Sequence, residues 1–165
     1  MKNIILNNTE INYKLKRMAY QIYETFINTN EVVLAGISEN GLLLANKVKD
    51  ELDIISDLQI ILCKVTLNKN NVFDEIQISI LEKDYKNKGV VIIDDVLHSG
   101  TTLIYCVKHF LNTPLLLCKT AVLIDRNHKK FPIKADFKGL SLSTSIQSHV
   151  EVVATDDEII AYLTD

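Results

Sequence analysis

The sequence predicts an α/β fold with a central, mainly parallel sheet covered by helices. Two observations carry this. Several segments, among them EVVLAGI, LQIILCKVTL and GVVIIDD, are apolar on both faces, as strands buried on both sides are. Between them lie segments whose apolar residues recur at helical spacing, and that alternation favours parallel strands joined by helical crossovers.

Taken in order, Ile11, Leu15, Met18, Ala19, Ile22 and Phe26 share one helical face, so a helix is expected near residues 10–28. EVVLAGI follows as a short buried strand, ended by the loop GISENG, and a second helical pattern runs from Leu42 to Leu52. LQIILCKVTL is the next strand, and FDEIQISI alternates like a half-buried one. GVVIIDD is again a strand, TTLIYCVKHFL is helical, and PLLLCKTAVLID returns to strand. After Phe131 the spacing breaks down; VEVVA reads as a last strand and DDEIIAYL as a closing helical turn or two.

The 165 residues suit one domain spanning 1–165, with no repeat, linker or low-complexity segment. Hydrophobic residues at 47% and charged residues at 24% are ordinary for a soluble globular protein. A net charge of −3 gives no overall attraction to nucleic acid, although a local basic face is compatible with it. Cys63, Cys106 and Cys118 are odd in number, lack CxxC spacing and sit among Ile, Leu and Val, so buried thiols are expected rather than disulfides or zinc ligands. No apolar run has the length of a signal peptide or a membrane span, and a cytoplasmic location is expected.

In open parallel sheets ligands bind beyond the carboxyl ends of the strands, which singles out the loops after Ile37, Leu67, Asp95 and Asp125. The third of these lies in VVIIDDVLHSGTT, residues 90–102. Asp94 and Asp95 close a strand, so their side chains should point to opposite faces; a carboxylate there accepts hydrogen bonds from vicinal hydroxyls or holds a hydrated Mg²⁺. His98, Ser99, Gly100, Thr101 and Thr102 then lead into a helix, whose N-terminal N–H groups and dipole favour a phosphate. An acidic pair alone fits two other readings, a solvated strand end before an N-capped helix or a receiver-like Mg²⁺ site.

The full thirteen-residue pattern resembles the phosphoribosyl-pyrophosphate signature of type I phosphoribosyltransferases. AVLIDRNHKKFPIKADFKGLSLSTS, residues 121–145, is similar to the matching segment of the pyrimidine-operon attenuator and uracil phosphoribosyltransferase group, as are LKRMAYQI and GISENG. The resemblance implies helices on both faces of the sheet and a small C-terminal hood-like segment. It implies that Asp94 and Asp95 bind the ribose hydroxyls and the metal, that His98, Ser99, Gly100, Thr101 and Thr102 cradle the 5′-phosphate, and that Val96 and Leu97 before them also meet the substrate. The reaction would move ribose 5-phosphate from phosphoribosyl pyrophosphate to a nucleobase, a pyrimidine such as uracil, with Mg²⁺ shielding the departing pyrophosphate. His98 would either exchange a proton or pack the loop, and Asp125 and Arg126 would either shape the base pocket or pair with each other.

Two stretches depart from the family pattern. The loop at Ser38, Glu39 and Asn40, where relatives carry Arg or Lys toward the pyrophosphate, has an acid instead, while Gly36 and Gly41 remain. In TLNKNNVFDE, residues 66–75, Asn68, Lys69 and Asn70 replace a Tyr-Arg-Asp-Asp-like entry to a long covering loop, and Lys69 is a candidate for the missing cation. The resemblance also implies an RNA-binding surface, for which Lys16, Arg17, Lys129, Lys130 and Lys134 keep positive charge and beside which His128 stands. A solvated basic face is the plainer reading of those residues. The competing function is a catalytically degenerate donor-binding regulator. Relatives of this kind form homodimers or larger homo-oligomers.

Overall fold

The computed structural model describes residues 2–143, 145 and 147–164. A six-stranded sheet in the order β4-β3-β2-β5-β6-β7 forms the body, and a three-stranded sheet, β1-β9-β8, forms a hood beside it. In the body the strands are β2 (Glu31–Ile37), β3 (Gln59–Thr66), β4 (Gln77–Ile78), β5 (Gly89–Leu97), β6 (Leu117–Asp125) and β7 (Phe137–Ser141). All pair in parallel except β4, which runs antiparallel to β3. The hood strands β1 (Lys2–Leu6), β8 (His149–Ala154) and β9 (Ile159–Thr164) are antiparallel.

Helices cover both faces of the body. Helix α1 (Asn8–Thr25) starts from a capping box: Asn7 Oδ1 accepts from the Glu10 N–H at 3.0 Å, and Glu10 Oε2 accepts from the Asn7 N–H at 2.9 Å. Its buried stripe of Ile11, Leu15, Met18 and Ile22 packs into one core with Leu44, Val48 and Leu52 of α2 (Ser38–Ile55) and with Val91 and Ile93 of β5. On the other face Leu103, Cys106 and Phe110 of α4 (Thr101–Phe110) join Val90 and Ile92 in a second core, with Tyr85 of the short α3 (Glu82–Tyr85). Alternate residues of β5 thus serve opposite cores, as the pleat requires.

Several expectations are corrected. DDEIIAYL is not helical: Ile159 and Ala161 are fully buried in alternation, and the segment becomes β9, so β8 is not the last strand. The strand β1, absent from the sequence reading, pairs with β9, so the hood draws on both ends of the chain. Only Gln77–Ile78 of FDEIQISI forms strand; before it Asp74 accepts hydrogen bonds from Asn68 and Asn71 within the preceding turn, and after it the Ser79 N–H donates to the Lys64 carbonyl. GISENG is not a loop; β2 passes into α2 at Ser38, which takes a left-handed φ of 57° to make the change. β5 does not stop at the acidic pair and continues to Leu97. β7 was also unforeseen, since its five residues FKGLS follow no clear pattern.

Candidate active site

The parallel body strands bring the ends of β2, β3, β5 and β6 to one edge, where the hood sits. Asp94, 3% exposed, lines a cavity of about 70 Å³ together with Lys69, His98, Ser99, Gly100 and Thr102. Asp95 lines an adjoining cavity of about 310 Å³, shared with Asn40, Lys69, His98, Arg126 and the hood residues His149 to Val152. The two carboxylates therefore serve different cavities, as the alternation of a strand predicts, while Val96, Lys69 and His98 line both.

The loop after β5 is held by geometry rather than by a side-chain cap. Gly100, not a Ser or Thr, is the N-cap of α4; its φ of 83° favours glycine, and a Cβ there would lie 2.4 Å from Ile133 Cγ2. Ser99 Oγ and Thr101 Oγ1 are 2.9 Å apart, and the Ser99 carbonyl accepts from Lys130 N–H at 2.7 Å and Phe131 N–H at 3.2 Å. The segment after β6 thus straps the loop in place. The Arg126 N–H also donates to the Leu97 carbonyl at 3.0 Å.

Asp95 is engaged on both oxygens. Its Oδ1 accepts from the Val96 N–H at 2.8 Å, and its Oδ2 accepts from Asn40 Nδ2 at 2.8 Å. The same Asn40 amide donates to the Val152 carbonyl of β8 at 3.0 Å, so one side chain joins α2, the acidic pair and the hood. Of the GISENG residues singled out, Asn40 lines the larger cavity. Glu39 forms an ion pair with Lys64 of β3 and has a side chain 80% exposed, and Ser38 marks the strand-to-helix turn.

Asp125 and Arg126 do not pair with each other. Asp125 is fully buried and meets Lys138 at 3.3 Å, Lys129 at 3.4 Å and the Asn127 N–H at 3.0 Å. Burial pushes its pKa up, but that hydrogen bond and the two ammonium groups outweigh it and hold the carboxyl below its ordinary value. Arg126, 3% exposed, donates to the carbonyls of Ser145 and Ser148, anchoring the approach to β8. His98 stacks edge-on to His128 at 5.9 Å. Burial lowers its pKa, and Arg126, His128, His149 and Lys130 add to the shift, which favours the neutral imidazole.

Of the basic residues singled out, Arg17 and Lys129 are engaged with neighbouring groups. Arg17 donates to the carbonyls of Lys138 and Gly139 at 2.9 and 3.0 Å, tying α1 to β7, and Lys129 is drawn onto Asp125. Lys16 is exposed, and Lys134 is 82% exposed beside Asp136. The sequence reading missed His149 and the other hood residues at the cavity, because their only signal was the alternation of VEVVA.

Burial pushes Asp94 up to about 8, with the Asp95 carboxylate adding and the Lys69 ammonium opposing. A folded-state pKa above the unfolded value means that Asp94's contribution to stability is full below about pH 4 and is lost as pH rises through about 8. Asp94→Asn keeps the shape without the charge. It is expected to melt above the unaltered chain near pH 9, by a margin that disappears near pH 4; equal margins at both would contradict the assignment.

A phosphoribosyl transferase domain matches residues 2–158, and the chain belongs to the phosphoribosyltransferase family, a class of pentosyl-transferring enzymes. Its curated relatives are narrower in kind. The bifunctional protein PyrR of Macrococcus caseolyticus is 30% identical over 172 residues, covering 98% of each chain. PyrR of Streptococcus thermophilus is 28% identical over 159 residues, covering 94% of this chain and 91% of its own. The fold also matches a crystal structure of the hypoxanthine phosphoribosyltransferase of Trypanosoma cruzi, with a TM-score of 0.77 at 16% identity over 96% of this chain and 95% of that one. Among the described residues no helix is long and apolar enough to cross a membrane.

Proposed function

We propose that the chain transfers ribose 5-phosphate from phosphoribosyl pyrophosphate to a ring nitrogen of a pyrimidine such as uracil. The carrying observation is the placement of Asp94 and Asp95 on two adjoining cavities, one at the start of α4 and one beneath the hood. In this reading the carboxylates accept hydrogen bonds from the 2′ and 3′ hydroxyls. The 5′-phosphate lies in the loop His98 to Gly100 that follows Val96 and Leu97 of β5, against the N-terminus of α4 and the hydroxyls of Ser99, Thr101 and Thr102. The base lies between His98, Arg126 and β8, where the neutral imidazole accepts a ring proton as the new bond forms. Lys69 faces the leaving group, and the hood limits access of water.

Mg²⁺ suits this donor set. Among the described residues no three His, Cys, Asp or Glu side chains group as a ready metal site, but Mg²⁺ commonly takes one or two carboxylates and completes its shell with substrate phosphates and water. Asp94 and Asp95 would hold it, and when bound it supplies charge stabilisation to the departing pyrophosphate. The protein is expected to act in the cytoplasm as a homodimer or larger homo-oligomer.

One observation favours a second reading, a donor-binding regulator that meets RNA and transfers poorly. The segment Ser38 to Asn40 brings no cation to the cavity, and its acid, Glu39, is bound to Lys64. A turnover screen over uracil, orotate, hypoxanthine, guanine and adenine, with donor and Mg²⁺, separates the two. Nucleotide formed from one base establishes transfer and names the base. Donor binding with no nucleotide favours the regulator, and absence of donor binding overturns both.

A further inference from the structure

The turn between β3 and β4 is bonded largely to itself. Asn68 Nδ2 donates to Asp74 Oδ2 at 2.7 Å and Asn71 Nδ2 to Asp74 Oδ1 at 2.5 Å, so one carboxylate clamps the turn from both sides. The Asn71 N–H reaches the Asn68 carbonyl and the Asp74 N–H the Asn71 carbonyl, both at 3.1 Å, and the Asn70 N–H adds a bond to Asn68 Oδ1 at 3.0 Å. Residues 68–74 are thereby linked into one piece. Within it, Lys69 lines both cavities at the acidic pair. At its other end Phe73 is 83% exposed, so its ring gains little from burial. That ring packs edge-on against Tyr105 of α4 at 5.7 Å, and Tyr105 meets Phe131 at 6.4 Å, on the strap that holds Ser99.

We propose that Phe73 is a positioning residue: docking of its ring on Tyr105 holds the turn 68–74 against α4 and keeps Lys69 at the paired carboxylates. Edge-to-face geometry is a favoured arrangement of aromatic rings, and it fixes the approach direction as well as the contact. The turn's own bonds carry that placement from Phe73 to Lys69. The effect on function rests on the donor site proposed above, whereas the docking itself does not.

Two measurements test this on the full chain. In the ligand-free protein, Phe73→Ala is expected to speed amide exchange at residues 70–74 about tenfold, with Phe73→Tyr close to the unaltered chain. Unchanged exchange in Phe73→Ala would overturn the proposal. Calorimetry with phosphoribosyl pyrophosphate and Mg²⁺ then gives a double-mutant cycle. Phe73→Ala weakens binding about tenfold, Lys69→Met weakens it more, and Phe73→Ala adds nothing in the Lys69→Met background. Independent, additive losses would overturn the positioning role, because Phe73 would then not act through Lys69. Faster exchange in a chain that binds no donor would bring down the functional reading and leave the docking in place.

Discussion

Replacing Asp94 and Asp95 together by Asn is expected to lower affinity for phosphoribosyl pyrophosphate by at least about a hundredfold. Hydrogen bonds to a charged group contribute about 1.5–3 kcal/mol each, and two carboxylates losing such bonds forfeit two decades or more. The amides also remove the two anionic ligands proposed for Mg²⁺. Loss of fold does not account for such a result, since Asp94 is held up to about 8 by burial and its neutral replacement relieves the ligand-free protein of that strain. Asp95→Asn has a further local effect, because an Asn at that position presents an amide where Asn40 Nδ2 now donates to a carboxylate. Calorimetry near pH 9, above the Asp94 pKa of about 8, checks the prediction with that carboxyl ionised. Affinity retained within about threefold would remove the acidic pair from the donor site.

The second large effect concerns Gly36 rather than a charged residue. An added Cβ would lie 2.4 Å from Leu42 Cα and 2.5 Å from both the carbonyl carbon and oxygen of Gly41, all backbone atoms. Neither side can yield easily. Gly36 pairs with Lys64 on one side and Ile93 on the other, and Gly41 is itself packed so that its own Cβ would meet the Ile93 carbonyl oxygen at 2.6 Å. Gly36→Ala is expected to cost about 3 kcal/mol, the upper end for overpacking, and to lower Tm by roughly 10 °C in a domain of this size. Relief by pushing α2 outward would carry Asn40 from Asp95 and from the Val152 carbonyl, so surviving folded protein should also show a loosened hood. Thermal melting checks the first effect and amide exchange along β8 the second. A Tm unchanged within about two degrees would show that α2 can move freely on the sheet.

The body of the fold was legible because its central strands are buried on both faces and so remain continuously apolar. Each of EVVLAGI, GVVIIDD and CKTAVLID reads as strand with no neighbouring information. Of the hood only β8 was legible, from the alternation of VEVVA, and its other two strands were not, for the opposite reason. β1 and β9 are each half-covered and five or six residues long, and each becomes regular only by pairing with the other from the far end of the chain. The acidic pair and the loop to Thr102 stood out locally because a strand ending in two acids before small, hydroxyl-bearing residues is a short-range pattern. The partners of Asp125 could not, since Lys138 reaches it from β7, whose existence the sequence did not signal. Arg17 illustrates the same limit: its sequence gives the charge, but not the two carbonyls more than a hundred residues away to which its guanidinium donates.

The pairing of Lys2 with Thr164 sets an order of assembly. Strands β2, β5 and β6, together with α2 and α4, contain the loop to Thr102 and can associate as soon as β6 has been synthesised. The first strand has nothing to pair with until β9 has emerged, and contacts so distant in sequence form late. On a chain made from its amino end, β5 and the loop to Thr102 therefore come first, then the Lys130 and Phe131 N–H groups that strap Ser99, and only later the Val152 carbonyl that Asn40 needs. The edge that carries the acidic pair is therefore made before the hood that closes over it.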